Sequence, residues 1–352
     1  MLKKINSLVT TLRYVTRMVT LLALSVALSG VLVGCDDDEI VAKLEKALYG
    51  KKSEKPEPAQ LLMAGLEGSF GSTIGPDGAL YVAESTVGRI SRIDLKTGEV
   101  STFASGLPPS TIGGVFDVAF LGQTAFALVT LVGPDVEGSD VVGLYRIDGP
   151  DSATVVADIG AFAIANPPNT DFFVPTGVQY SIQTYHGAFL VTDGHHNRVL
   201  HVTPDGEITE FRTFSNIVPT GLAVWGKKIY MAQAGPTPHL PEDGKVVSFS
   251  HNSSTVTTVA SGARLVVDVE FNRGQTLFAL SQGIWDGEME GSPAEPNTGS
   301  LVRVNHDGTF TIVADGLDRP TSLEFVKNNA YVVTLGGEVW VINNVQGPPF
   351  GI

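Results

Sequence analysis

The 352-residue chain is 43% hydrophobic and 17% charged, and it contains 39 glycines and 20 prolines. Frequent Gly and Pro without low complexity is typical of many short strands joined by turns, and not of a helical bundle. The formal net charge of −14 argues against nucleic acid or anionic lipid headgroups as partners, because both would repel the protein.

Residues 1–34 predict an export signal. Four basic residues precede the apolar run at 21–32: Lys3, Lys4, Arg13 and Arg17. That run is shorter than the ~20 residues that a membrane-spanning helix needs, so a cleaved signal is favoured over a transmembrane anchor. Without residues 1–34 the protein keeps 19 basic and 37 acidic residues, a net charge of −18.

The apolar run ends in Leu-Val-Gly-Cys at 32–35, followed by three aspartates. This sequence resembles a bacterial lipobox, in which the cysteine is acylated and becomes the new N-terminus. Cys35 is the only cysteine, so no internal disulfide can form. We therefore expect a lipoprotein that Cys35 anchors to a bacterial membrane, with palmitate or similar chains, on the periplasmic or cell-surface side.

Residues 35–59 are expected to connect this anchor to the globular part. Apolar residues recur at helical spacing within 38–49 and predict a short amphipathic helix. Residues 51–58, K-K-S-E-K-P-E-P, predict a polar tether.

From residue 60 onward a four-strand pattern repeats six times, which predicts an all-β, six-bladed β-propeller over 60–345 with a tail at 346–352. The clearest blade spans 175–214. Inner strands are expected at 71–74, 116–120, 175–180, 219–224, 267–271 and 320–325. The sixth blade lacks a fourth strand, whereas residues 60–66 match 311–317. The N-terminal strand is therefore expected to complete the last blade, which an open β-sandwich would not explain.

Four long segments at 131–142, 160–174, 234–244 and 282–299 stand out among tight turns. In an up-and-down blade they all emerge on one face, and long loops on a rigid scaffold often carry function. Polar residues at the strand ends near that face form a candidate ring: Glu84, Asp117, Asp193, Gln233, Asp268, Ser281 and Gln282.

Carboxylates of the ring could hold Ca²⁺ or another divalent cation, and the candidate ligands are Glu84, Asp117, Asp193 and Asp268. Gln233, Gln282 and Trp285 could instead bind a ligand. The adjacent His195 and His196 could act as a general base. The alternative is structural, because polar strand ends and solvated turns are common in propellers. The sequence contains no recognisable catalytic motif, which does not exclude catalysis, because propeller sites are assembled from distant blades. Ca²⁺ or another divalent cation is the one cofactor considered.

Several phrases resemble the ScyD/ScyE family of exported propellers over residues 60–342: G-P-D-G-A-L-Y-V-A-E at 75–84, P-T-G-L-A-V at 219–224 and L-D-R-P-T-S-L-E-F at 317–325. The chain departs from that pattern at 71–74, and the family implies no defined activity. The phrase V-T-P-D-G-E-I-T-E-F at 202–211 is similar to virginiamycin B lyase and gluconolactonase propellers. A lyase would need a metal-binding Glu and a catalytic His, for which only Glu84 and His195 or His196 are available.

Three functions compete at this point. The first is a monomeric lipoprotein that binds a small molecule or a protein at the long-loop face. The second is a divalent-metal-dependent lactonase or lyase. The third, a structural spacer, leaves the long loops without a purpose.

Overall fold

The computed structural model describes residues 58–285, 287 and 291–345. These residues form six four-stranded antiparallel sheets. Each innermost strand contacts the innermost strand of the next sheet, and the sixth contacts the first. The ring is therefore closed, which confirms the predicted six-bladed propeller. The predicted signal, Cys35, the helix at 38–49, the tether up to residue 57 and the tail lie outside the described residues.

The strands follow the chain in order. After β1 (Gln60–Ala64), blade one contains β2 (Ser69–Ile74), β3 (Leu80–Glu84), β4 (Arg89–Ile93) and β5 (Val100–Ala104). Blade two contains β6 (Gly114–Leu121), β7 (Thr124–Thr130), β8 (Gly143–Gly149) and β9 (Ser152–Asp158). Blade three contains β10 (Gln179–Tyr185), β11 (Ala188–Asp193), β12 (Arg198–Val202) and β13 (Ile208–Thr213).

The second half repeats this order. Blade four contains β14 (Pro219–Trp225), β15 (Lys228–Gln233), β16 (Lys245–Phe249) and β17 (Thr257–Ser261). Blade five contains β18 (Val266–Phe271), β19 (Leu277–Ser281), β20 (Gly299–Val304) and β21 (Phe310–Leu317). Blade six contains β22 (Pro320–Val326), β23 (Asn329–Thr334) and β24 (Glu338–Ile342).

The N-terminal strand β1 completes blade six, as predicted. It pairs antiparallel with β24, with Gln60 opposite Val341 and Ala64 opposite Glu338. Both ends of the propeller are thereby joined in one sheet, and β24 has a partner strand on each side.

Burial changes across each blade in the way that the sequence alternation implies. All of β3 and β11 is buried, because the second strand of a blade packs between neighbouring sheets. Three of the five residues of β5 are exposed, because the fourth strand forms the outer surface. The core therefore lies between blades; Phe126 of blade two, for example, packs on Phe189 of blade three with ring centroids 4.7 Å apart.

Strand order places the connections on two faces. The long-loop face comprises the connections between second and third strands and between blades: 65–68, 85–88, 105–113, 131–142, 159–178, 194–197, 214–218, 234–244, 262–265, 282–298, 318–319 and 335–337. The short-turn face comprises the other hairpins: 75–79, 94–99, 122–123, 150–151, 186–187, 203–207, 226–227, 250–256, 272–276, 305–309 and 327–328. All four long segments lie on the long-loop face.

Two expectations about the connection between blades two and three were wrong. The inner strand of blade three is Gln179–Tyr185 and not 175–180, because a turn from Val174 to Gly177 precedes it. The segment at 160–174 is also not entirely irregular. It begins with the helix α1 (Ile159–Ala165), whose first turn is capped by the Asp158 side chain, 2.7 Å from the Ala161 amide. Within the described residues, no helix is both long and apolar enough to cross a bilayer.

Candidate functional site

One layer of side chains in the central channel repeats after three blades. In each blade the inner strand pairs with the second strand, and this pairing contains one register shift. The residue within or beside that shift occupies an equivalent position in all six blades: Gly71, Asp117, Ser181, Gly221, Asp268 and Ser322. The layer therefore reads Gly-Asp-Ser twice around the ring. The two aspartates lie in blades two and five, on opposite sides of the channel.

Each aspartate joins its own blade to the next one. Asp117 accepts a hydrogen bond from the Val118 amide (2.8 Å) and another from the Ile182 amide of blade three (2.8 Å). Asp268 does the same with the amides of Val269 (2.8 Å) and Leu323 of blade six (2.7 Å). Both carboxyls thus satisfy backbone donors that the register shift leaves without a strand partner.

The preceding blade supplies the space for each aspartate. A methyl group added to Gly71 would overlap Oδ1 of Asp117, and one added to Gly221 would overlap Oδ1 of Asp268. The two glycines are therefore required by close packing, and each Gly-Asp-Ser unit extends over three consecutive blades.

The channel contains a cavity of about 200 Å³, lined mainly by the inner strands. Asp117 and Asp268 share this lining with Glu270, Glu324 and the Tyr180 side chain. No Lys, Arg or His is among the lining residues. On one side Phe70 stacks on Phe116 at 4.0 Å, and Phe116 meets Tyr180 edge to face at 5.5 Å.

Burial shifts the protonation of these acids towards their neutral forms. Desolvation raises the pKa of Asp117 to about 8 and that of Asp268 to about 7, although backbone hydrogen bonds oppose both shifts. Desolvation and neighbouring carboxylates raise the pKa values of Glu270 and Glu324 well above their usual range. Asp117 and Asp268 therefore titrate near neutral pH, and raised carboxyl pKa values of this kind are common at functional sites.

Of the residues predicted for the ring, Asp117 and Asp268 line this cavity. They lie inside β6 and β18 and not at the channel mouth, where they were expected. The remaining ring residues lie outside the lining set.

Glu84 holds the connection between β1 and β2 against blade one. Its carboxylate contacts Arg89, with Nη2 to Oε2 at 2.7 Å, and it accepts hydrogen bonds from the Ser91 hydroxyl and the Glu67 amide. Burial disfavours the charged form, but these hydrogen bonds outweigh it and lower the pKa of Glu84. All of these partners are protein groups, so the carboxylate is part of a structural ion pair.

Asp193, His196 and Arg198 form a buried network under the connection between blades two and three. Arg198 Nε lies 3.3 Å from Asp193 Oδ2, and its Nη1 donates to the Asn166 carbonyl at 2.7 Å. His196 Nε2 lies 3.0 Å from the Val174 carbonyl, which can only accept, so this nitrogen carries the hydrogen. Burial raises the pKa of Asp193, but contacts with His196 and Arg198 outweigh that effect and hold it below its usual value.

His195 supports the same connection from outside. Its Nε2 accepts hydrogen bonds from the amides of Phe173 (2.9 Å) and Val174 (3.1 Å). Its ring also packs edge to face on Phe173, with centroids 4.4 Å apart. In this structure both predicted histidines position a loop.

The other ring candidates border the long loops of blades four and five. Gln233 is buried at the end of β15. Gln282 accepts a hydrogen bond from the Ala294 amide at 3.1 Å, and Ser281 donates to the Arg264 carbonyl at 2.5 Å. Trp285 donates to the Ser292 hydroxyl at 3.1 Å. No three Asp, Glu, His or Cys side chains of the described residues gather around one point as metal ligands.

Exposed apolar side chains are concentrated on the long-loop face. Thirteen large apolar side chains are exposed among the described residues. Seven lie on the long-loop face: Val87, Ile112, Ile164, Phe172, Phe173, Leu240 and Ile284. Four lie on outer strands, and Trp225 and Val256 lie at the short-turn face. Exposed apolar groups with this one-sided distribution mark interaction surfaces.

Comparison with known proteins identifies the fold. The sequence matches no protein-family model and no curated protein. Similar solved structures include a gluconolactonase from Xanthomonas campestris, at 13% identity and a TM-score of 0.56 over 81% of this chain and 88% of that one. A PQQ-bound aldose sugar dehydrogenase from Streptomyces coelicolor has 14% identity and a TM-score of 0.55 over 83% and 98%.

A virginiamycin B lyase from Staphylococcus aureus with quinupristin is also similar, at 14% identity and a TM-score of 0.52 over 82% of this chain and 98% of that one. At these identities the likeness establishes the propeller fold alone. The three proteins carry three different activities, so the fold does not select a chemistry for this chain.

Proposed function

We propose that this protein is an exported, lipid-anchored propeller of the ScyD/ScyE type that binds a protein partner through its long-loop face. The observation that supports this proposal is the distribution of exposed apolar side chains, seven on the long-loop face against two on the short-turn face. A soluble protein gains nothing in stability from such groups in water, so their clustering on one face favours an intermolecular contact.

The size of the channel favours a surface contact over a deep pocket. Its cavity of about 200 Å³ is smaller than the roughly 300–1,000 Å³ of typical small-molecule sites. Protein interfaces instead use about 800 Å² of surface on each partner. The long-loop face includes the connections at 131–142, 159–178 and 234–244 and the described residues of 282–298.

The direction of β1 shows at which face the described part of the chain begins. Strand β24 begins at the long-loop face, after the turn at 335–337, and β1 runs antiparallel to it. Residue 58 therefore lies at the short-turn face. Membrane fractionation tests the anchor, since Cys35→Ser should move the protein into the soluble fraction.

A pair of matched variants tests the binding proposal. Phe173 on the long-loop face is 67% exposed, and Trp225 at the short-turn face is 45% exposed. Tagged full-length protein is purified from its own membranes as wild type, Phe173→Ser and Trp225→Ser. We expect the same partner with wild type and Trp225→Ser and its loss with Phe173→Ser. Equal retention by both variants would contradict the proposal.

The second candidate is the divalent-metal-dependent lactonase or lyase. It is supported by two channel carboxyls, Asp117 and Asp268, whose pKa values lie near 8 and 7 and suit acid–base chemistry. Although Glu270 and Glu324 line the same cavity, no three Asp, Glu, His or Cys side chains of the described residues are grouped so that they could hold a metal ion. Elemental analysis of protein prepared without chelator, followed by a lactone screen, tests this candidate. A stoichiometric ion that is lost with Asp268→Asn would favour it.

A further inference from the structure

We infer that the partner of the long-loop face is a protein segment that carries basic and apolar side chains together. This inference rests on the proposed function and specifies the chemistry of the partner. It follows from the excess of acidic over basic residues on the long-loop face, where basic residues are few.

Among the described residues, the connections of the long-loop face contain nine acidic residues and two basic ones, Arg264 and Arg319. The connections of the short-turn face contain seven acidic and four basic residues. The described part of the long-loop face therefore carries a net charge of −7, and the short-turn face carries −3. It also contains no lysine at all.

The acidic side chains are available to a partner. Seven of those on the long-loop face are exposed in the described residues: Glu67, Asp135, Glu137, Asp140, Asp171, Glu242 and Glu295. Glu67 contacts Arg89 at 3.5 Å, and Asp135 accepts hydrogen bonds from Thr176.

The apolar groups are interspersed with these charges. Phe172 and Phe173 follow Asp171 directly, Leu240 precedes Glu242 by two residues, and Ile284 lies in the same loop as Glu295. An acidic surface with exposed aromatic and aliphatic groups complements a segment in which Lys or Arg alternates with apolar residues. The negative charge of this surface repels nucleic acid and anionic lipid. A protein segment with basic and apolar side chains matches both its charge and its exposed apolar groups.

Binding of a defined probe tests this inference. The probe is a fluorescently labelled amphipathic peptide of lysine and leucine, measured by anisotropy against the full-length protein in detergent micelles. Two control peptides have the same length: one replaces lysine with glutamate and one replaces leucine with glycine. We expect the lysine–leucine peptide to bind at least about tenfold more tightly than either control, with affinity that falls as salt rises from about 50 to 500 mM.

Two matched triple variants locate the contact. Glu137→Gln, Asp140→Asn and Glu242→Gln together neutralise the long-loop face, and Glu99→Gln, Asp205→Asn and Glu207→Gln remove the same three charges from the short-turn face. Since exposed charge pairs contribute little individually, we expect the first triple to weaken binding about fivefold or more and the second to change it less than about twofold.

An equal loss with both triples, or equal binding of the glutamate peptide, would overturn the inference. Tighter peptide binding after deletion of residues 36–55 would also overturn it, because the chain's own lysine-containing segment would then be the occupant. The proposed function is tested separately by the Phe173→Ser comparison. A partner lost with Phe173→Ser but unaffected by the first triple would leave that function standing while this inference fails.

Discussion

Replacing Asp117 with Asn should change how stability depends on pH. The folded protein holds a proton on Asp117 up to a pKa of about 8, whereas the unfolded chain releases it above the ordinary value of 3.8. The stabilising contribution of the protonated group is therefore present at low pH and is lost as the pH rises towards 8. Between pH 5 and 7 this one group should reduce the free energy of unfolding by about 1.4 kcal/mol per pH unit, or about 2.7 kcal/mol in all.

The Asn variant lacks this titration but has its own cost. An amide offers one acceptor oxygen where the carboxyl accepts from both Val118 and Ile182. One buried N–H then remains unsatisfied, which costs about 1–3 kcal/mol. The variant should therefore be less stable than wild type at pH 5 and should lose most or all of that difference by pH 7.

Urea unfolding at pH 5, 6, 7 and 8 checks this prediction, with Asp205→Asn in an exposed turn as the control. The control and wild-type curves should run parallel across the whole range. If the curves of wild type and Asp117→Asn also run parallel, the carboxyl does not hold its proton in the folded channel and the reasoning is refuted.

Further variants test the channel layer, the buried network and the closure of the ring. Gly71→Ala should destabilise the fold by about 1–3 kcal/mol because the methyl group overlaps Asp117, whereas Gly149→Ala, with open space around it, should change stability little in thermal unfolding. Asp193→Asn leaves buried Arg198 with only the half-exposed Glu210 carboxylate, 3.8 Å from its Nη1, and should cost about 3 kcal/mol. The exposed pair of Arg146 and Asp148 provides the control, because Asp148→Asn should cost about 1 kcal/mol or less. A chain that begins at residue 67 loses β1 and should unfold at lower urea concentration than one that begins at residue 58; equal midpoints would mean that β1 does not close blade six.

The propeller could be predicted because its repeat is local. Turns such as Thr203-Pro204-Asp205-Gly206 and the match between 60–66 and 311–317 depend only on neighbouring residues. The start of β10 could not be predicted in this way. Thr176 is held in a turn by Asp135, which lies in another loop. The Asp135 carboxylate accepts hydrogen bonds from the Thr176 amide (3.0 Å) and the Thr176 hydroxyl (2.6 Å). A tertiary contact therefore outweighs the strand pattern at 175–178.

The candidate site was predicted only in part. Asp117 and Asp268 were identified, but Glu270, Glu324 and Tyr180 were missed. Their signal is present, since V-D-V-E-F at 267–271 and T-S-L-E-F at 321–325 place a glutamate two residues after the channel position. The ion pairs that Glu84 and Asp193 each form with an arginine could also be detected in the sequence. Each is followed five residues later by an arginine, and hairpin pairing places that arginine directly opposite.

Photo-crosslinking in living cells tests the central claim most directly. A photoreactive phenylalanine analogue is placed at position 173 on the long-loop face or at position 225 at the short-turn face, and adducts are identified by mass spectrometry. The account predicts one abundant protein adduct from position 173 and none of comparable yield from position 225. Adducts of equal yield from both positions, or from position 225 alone, would contradict the assignment of the long-loop face as the binding surface.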